Sequence, residues 1–172
     1  MEAYELTTRG GATDFARLIA ACDSFGPYCL IDGLAVNCYV KPVYTLDADI
    51  VVIASGLSPL SAHLQEQEFK TEEHPHSLNA YPPGSELRIQ FTTDARYQAF
   101  LARSVEAEVL GVRAKIACIE DVIQGKLWAY SDPQRRLSKR KKDELDLIRL
   151  AEKYPKLKAL YPRELQEQIE GG

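Results

Sequence analysis

The run Thr45-Leu46-Asp47-Ala48-Asp49-Ile50-Val51-Val52-Ile53 constrains the fold more than any other stretch of the chain. It is rich in β-branched residues and lacks glycine and proline, so it reads as a strand over 45–53. Side chains alternate along a strand, which puts Thr45, Asp47 and Asp49 on one face and Leu46, Ala48 and Ile50 on the other. Two carboxylates then share a face, with Cβ atoms about 7 Å apart. Like charges so placed repel, and aspartate is a poor strand former, so the arrangement calls for a counter-charge. A hard divalent cation such as Mg²⁺ would supply it. The alternative left open by these residues alone is an exposed strand end carrying two solvated acids.

The flanking sequence is that of an α/β protein. Phe15, Leu18, Ile19 and Cys22 recur at helical spacing behind Thr13-Asp14, which predicts a helix over 14–24 with an N-cap there and a stop at Gly26-Pro27. Tyr28-Cys29-Leu30-Ile31 reads as a short strand, Asp32-Gly33 as a tight turn, and Leu34-Ala35-Val36 as a helix start. A helix is expected over 57–70, a proline-containing loop over 74–84, and a half-buried strand over 87–92, where Leu87, Ile89 and Phe91 alternate with Arg88, Gln90 and Thr92. Val109-Leu110-Gly111-Val112 and Lys115-Ile116-Ala117 read as short extended pieces. A helix starting at Ile119 carries Val122, Ile123, Leu127 and Tyr130 on one stripe; a polar tract follows over 131–142. The last strong helix is expected over 141–154, ended by Pro155, with a peripheral helix or frayed end past Pro162.

With 172 residues, 45% of them hydrophobic and 27% charged, the chain has the balance of a globular domain with a real core. Its formal charge of -4 argues against a surface that grips nucleic acid throughout, so any such contact is local. Met1-Glu2-Ala3-Tyr4-Glu5 shows no basic or apolar leader pattern and no stretch has the uninterrupted apolar length of a membrane span, so a cytoplasmic protein with no membrane partner is expected. Cys22, Cys29, Cys38 and Cys118 lack CxxC spacing and sit among apolar residues, as buried reduced thiols do.

Three further features could carry chemistry. Gly33 lies between a strand and a helix, where backbone N–H groups at a helix N-terminus are free to meet phosphate; one such glycine is also simply a turn. Lys126 falls seven, four and three residues after Ile119, Val122 and Ile123, so it interrupts an apolar stripe and either snorkels outward or faces an anion in a cleft. Asp143 precedes Leu147 by four residues and so lies on the core side of its helix, with Asp146 one turn along; surface salt bridges are the plainer reading of both. Arg135, Arg136, Lys139, Arg140, Lys141 and Lys142 form a basic tract that either steers phosphates or an RNA end or is a solvated face.

Together, Leu30-Ile31-Asp32-Gly33-Leu34-Ala35-Val36 and Pro42-Val43-Tyr44-Thr45-Leu46-Asp47-Ala48-Asp49-Ile50 resemble the Gly-Gly and T-x-D-x-D motifs of polymerase-beta-type nucleotidyltransferases, above all the AbiEii toxin-like group. Ile119-Glu120-Asp121-Val122-Ile123-Gln124-Gly125-Lys126-Leu127 is similar to that group's helix with an inward lysine, and Lys142-Asp143-Glu144-Leu145-Asp146 to its R/K-D-x-x-D segment. The resemblance implies a nucleotidyltransferase fold: a small mixed sheet flanked by helices over 1–115, with a C-terminal helical part over 116–172 that contributes to the same cleft. It implies that Asp47 and Asp49 hold Mg²⁺ or Mn²⁺, that Gly33, Leu34, Thr45, Lys126 and Lys142 meet a nucleoside triphosphate, and that Asp143 or Asp146 acts as base or support. The implied reaction moves a nucleotidyl group to a hydroxyl of RNA, such as tRNA, or of protein, as the toxin of a pair with an antitoxin-like partner. Two positions depart from the pattern. Gln90 stands where many members of the superfamily place a third carboxylate, and Asp32 replaces the usual first glycine, so a weakened or inactive nucleotide-binding or interaction module is the alternative.

Overall fold

The computed structural model describes residues 11–172. The amino-terminal residues on which the leader reading rests lie outside them. Among the described residues no helix is long and apolar enough to cross a membrane.

Helix α1 (Gly11–Ser24) starts three residues earlier than its sequence pattern indicates, and it buries Phe15, Leu18, Ile19 and Cys22. Asp14 therefore sits within the first turn, where a carboxylate suits the positive helix end, and is not the cap. Strand β1 (Tyr28–Ile31) passes directly into helix α2 (Asp32–Tyr39), and β2 (Asp47–Val52) follows. Thr45 stays outside β2; its Oγ1 accepts the Asp47 N–H at 3.2 Å and so fixes how the chain enters the strand.

Helix α3 covers Ala54–Glu66 and stops short of the expected 70, because Lys70–His74 is strand β3. The expected loop over 74–84 holds another strand, β4 (Ser77–Tyr81), paired antiparallel to β3 through a tight turn at Pro75-His76. Pro75 occupies that turn and Pro82 and Pro83 follow β4, so the prolines bracket a strand instead of marking a loop. Strand β5 (Arg88–Thr92) is close to expectation. The 3-10 helix Ala95–Arg103 carried no clear sequence signal; Asp94 starts it by accepting the Arg96 N–H at 2.9 Å.

Strands β6 (Val105–Val109) and β7 (Val112–Ile116) form a hairpin. The run that read as an extended piece breaks at Leu110-Gly111, where both residues have positive φ, 49° and 79°, as a two-residue hairpin turn of right-handed twist requires. Helix α4 covers Ile119–Ser131. Helix α5 covers Leu137–Lys153, so the end of the polar tract is its first turn. A 3-10 turn (Pro155–Leu160) and helix α6 (Arg163–Gly171) complete the chain.

The seven strands form one mixed sheet in the order β3-β4-β5-β2-β1-β7-β6. The central β2 runs antiparallel to β1 and parallel to β5, with Asp47 opposite Arg88 and Asp49 opposite Gln90. Helices α1 and α3 pack together, while α2 packs with α4 and α5. Leu30, Ile50, Ile89, Phe91 and Ile116 are buried between these layers, which makes the centre of the sheet a rigid platform. The end of α5 is tied to α2: Lys153 Nζ and the Tyr154 hydroxyl both donate to the Tyr39 carbonyl, at 2.5 and 3.1 Å. All four cysteines are free; Cys22 and Cys29 are buried, Cys38 and Cys118 partly so.

Candidate active site

Asp47 and Asp49 lie on the face of β2 that looks toward α4 and α5, and both open into a cleft of about 350 Å³. Ala48 and Ile50, on the other face, are buried in the core. The two acids differ in their surroundings. Asp47 Oδ1 is 2.7 Å from Arg88 Nε, with Lys139 Nζ at 3.9 Å from Oδ2. Among the described residues no cation pairs with Asp49. Burial, then repulsion from Asp32 and Asp47, pushes its carboxyl up to about 7.

Lys126 is 3% exposed despite its charge, and three carboxylates hold it there. Its Nζ is 3.1 Å from Asp143 Oδ1 and 2.9 Å from Asp146 Oδ2, and it contacts Asp32 as well. Burial alone would lower its pKa, but Asp32 and Asp146 outweigh that and raise it, so the ammonium stays charged. Arg135 adds a second cation to Asp143, Nε to Oδ2 at 2.6 Å, and Arg149 adds one to Asp146 at 3.0 Å. Neither Asp143 nor Asp146 is a free acid; each holds Lys126 in place. The inward lysine is thus an anchored charge at the wall of the cleft, with its ammonium already shared among carboxylates.

Asp32 has φ 59°, a left-handed conformation that costs a side-chain-bearing residue some strain and that glycine adopts freely. Burial would raise its carboxyl, but Lys126 outweighs burial and holds it below the usual range. Gly33, Thr45 and Lys142 also line the cleft. Leu34 does not: its side chain is 3% exposed in the core, so only its backbone could face a ligand. Lys142 makes no ion pair among the described residues, which sets it apart from the other cations of the cleft. The basic tract divides by helical spacing. Lys139 and Lys142, one turn apart on α5, face the cleft, whereas Lys141 turns outward to Glu144 at 3.2 Å. Arg136, Lys139 and Arg140 crowd the positive end of the α5 dipole with no acid in the first turn. That placement is unfavourable until an anion binds nearby.

Sequence reasoning passed over Arg88 and placed Arg135 only in the basic tract, without its pairing to Asp143. Arg88 lies on the same strand face as Gln90, so the alternation of β5 carried the signal, but its partner depends on the register between β5 and β2. Among the described residues no group of three or more His, Cys, Asp or Glu is arranged to hold a metal ion. The donor set Asp47 and Asp49 still suits a hard cation, because Asp49 is a carboxylate without a counter-charge and Mg²⁺ takes its remaining oxygens from phosphate and water.

No family model and no curated protein matches the sequence. Solved structures do match. The antibiotic-resistance factor ANT(2'')-Ia, determined in complex with adenylyl-2''-tobramycin, superposes with a TM-score of 0.61 at 15% identity over 93% of this chain and 97% of its own. A nucleotidyltransferase-like protein from Paracoccidioides brasiliensis gives 0.54 at 16% identity over 94% and 85%. The lincosamide adenylyltransferase LnuA, bound to lincomycin, gives 0.50 at 12% identity over 72% and 86%. The chain has the nucleotidyltransferase fold. In this nucleotidyltransferase fold, the mixed sheet presents Asp47 and Asp49 from its centre, and the C-terminal helices bring Lys126, Arg135 and Lys142 over them.

Proposed function

We propose that this chain transfers a nucleotidyl group from a nucleoside triphosphate to an acceptor hydroxyl, with Asp47 and Asp49 as the ligands of a divalent cation. The observation that carries the reading is the unpaired Asp49 beside Asp47 in a cleft whose rim holds Arg88, Lys139 and the unpaired Lys142. A bound Mg²⁺ or Mn²⁺ would neutralise phosphate charge there. Lys142, Lys139 and the free N–H groups at the start of α2 beside Gly33 hold the triphosphate, and Lys126 fixes the field at the wall. The acceptor oxygen bonds to the α-phosphorus while the bond from that phosphorus to the bridging oxygen breaks. Pyrophosphate leaves with the electron pair, and the hydroxyl proton passes to the Asp49 carboxylate.

Incubation with each α-labelled NTP and Mg²⁺ or Mn²⁺, with RNA, protein extract or small hydroxyl compounds as acceptors, tests this. Transfer by the wild type and its loss in Asp47→Ala, with an unchanged circular dichroism spectrum, is the expected result. Equal transfer by the variant sinks the reading. An RNA or protein acceptor and an antitoxin-like partner rest on the sequence resemblance alone. A second reading, a nucleotide-binding module without transfer, is favoured by Gln90 opposite Asp49 and by Asp32 in a glycine's conformation. Calorimetric NTP binding with no transfer to any acceptor would select it.

A further inference from the structure

Three large apolar side chains stand in water beside the cleft. Val43 and Tyr44, on the loop between α2 and β2, and Leu145, on α5, are 53%, 54% and 54% exposed. They converge on a shallow notch of about 60 Å³, and Gly33, Thr45 and Lys142 line the notch and the cleft alike. Single exposed apolar residues need no explanation, but a contiguous group at the edge of a charged cleft marks a place where a ligand or partner docks.

The loop that carries two of them is held in place. The Asn37 side chain donates to the Val43 carbonyl at 2.7 Å and accepts the Val43 N–H at 2.9 Å, and Arg149 donates to the Lys41 carbonyl. These bonds fix the backbone around residue 43 and leave the Tyr44 ring half in water. A platform fixed in advance binds a flat ring with little loss of its own freedom.

Notch and cleft differ in chemistry. The notch is apolar, whereas Asp47, Asp49, Arg88, Arg135 and Lys139 make the cleft charged. A nucleoside triphosphate has the same polarity, an aromatic ring at one end and a chain of anions at the other. Tyr44 precedes Asp47 by three residues, at most about 11 Å of chain, so a base over Tyr44 leaves its α-phosphate within reach of Lys142 and of a cation on Asp47. Tyr81 is the aromatic side chain that lines the cleft itself, but its hydroxyl is turned to Glu72 on β3, at 3.5 Å.

We propose that Val43, Tyr44 and Leu145 seat the nucleobase of the triphosphate, with the ring stacked on Tyr44 and the α-phosphate beside Lys142. The amide of Asn37 and the guanidinium of Arg149, which could otherwise read a base edge in the notch, are already bonded to carbonyls of the chain. The seat therefore selects by stacking area and accepts any base, purines ahead of pyrimidines. Lys142, unpaired among the described residues and shared by notch and cleft, favours an anionic ligand over an apolar protein face. The assignment rests on the transfer reading above and places its donor.

Calorimetry with MgATP and with magnesium tripolyphosphate separates the ring from the phosphates. Tyr44→Ala should weaken MgATP binding roughly tenfold and leave tripolyphosphate binding within about twofold. Leu145→Ala should act in the same direction, Lys142→Ala should weaken both ligands, and Tm should hold in Tyr44→Ala and Leu145→Ala because both side chains are exposed. The wild type should bind MgATP and MgGTP alike and MgCTP more weakly. Unchanged MgATP affinity in Tyr44→Ala overturns the seat, as does an equal loss for both ligands or a ring-selective loss in Tyr81→Ala instead. A dimer that Tyr44→Ala splits in sedimentation, with nucleotide binding untouched, overturns it by showing that the patch joins two copies. Tyr44-dependent MgATP binding without transfer to any acceptor would uphold the seat and strike the transfer reading alone; a wild type that binds neither ligand would strike both.

Discussion

Asp49 and Gln90 stand in register on the adjacent parallel strands β2 and β5, and both line the cleft. A carboxamide beside Asp49 gives it a neutral neighbour where a second acid would repel it, and it also leaves a bound cation one charged ligand poorer. Gln90→Asp is therefore expected to tighten Mn²⁺ or Mg²⁺ binding roughly tenfold, about 1.4 kcal/mol, and to raise the transfer rate. Calorimetry with metal alone and then a transfer assay check this. Unchanged metal affinity would show that Gln90 does not face the cation.

Asp49 makes the metal-free protein pH-sensitive in a defined direction. Its folded carboxyl titrates near 7 against the usual 3.8, so the folded state binds that proton more tightly than the unfolded one. Stability falls as pH rises through the window from about 4 to about 7, and the loss is complete above it. Asp49→Asn removes the ionisation, so its Tm should match the wild type near pH 4 and exceed it increasingly up to pH 7. Melting curves in chelator across that range decide the matter; parallel pH profiles would refute the prediction. Mg²⁺ should restore wild-type stability at pH 8.

Lys126 is expected to matter more to stability than to any ligand. Lys126→Met leaves Asp143, 1% exposed, and Asp146, 5% exposed, short of their shared cation. Breaking a buried charge cluster in this way costs roughly 3–5 kcal/mol. Urea denaturation should show that loss, and an unchanged midpoint would contradict the ion-pair geometry.

Lys142 should behave in the opposite way. As an unpaired cation at the cleft, it can be removed with little change in Tm, while NTP affinity falls roughly tenfold and depends less on salt. Lys141→Ala, which loses only an exposed pair with Glu144, provides the control and should leave NTP affinity intact. Equal effects from the two substitutions would mean that the basic tract acts as a diffuse field.

The parts legible in sequence were those whose signals are local. The β-branched run around Asp47 and Asp49, the glycine after β1, and the lysine interrupting an apolar helical stripe each announce themselves within a dozen residues, and the mixed sheet flanked by helices was implied by the family resemblance that these motifs carry. The β3–β4 hairpin was not legible: β3 is Lys70-Thr71-Glu72-Glu73-His74 and is mostly exposed, so no apolar alternation marks it. The pairing of Arg88 and of Arg135 was not legible for another reason. The first depends on the register between β5 and β2, and the second on the way the chain turns into α5 and brings Arg135 back onto Asp143.

The attachment of α5 to α2 through the Tyr39 carbonyl has a consequence for the chain during its synthesis. When the strands through β7 have left the ribosome, Asp32, Asp47 and Asp49 are already close together, but Lys126, Arg135 and Lys142 are still to come. The nascent sheet thus carries Asp32 and Asp49 without a counter-charge at its centre, Asp47 alone having its cation in Arg88, and the remaining cations arrive only as the last fifty or so residues emerge and dock. A free pool of Mg²⁺ would serve as the temporary counter-charge, so translation in magnesium-poor conditions should slow the final docking step before it affects the finished molecule.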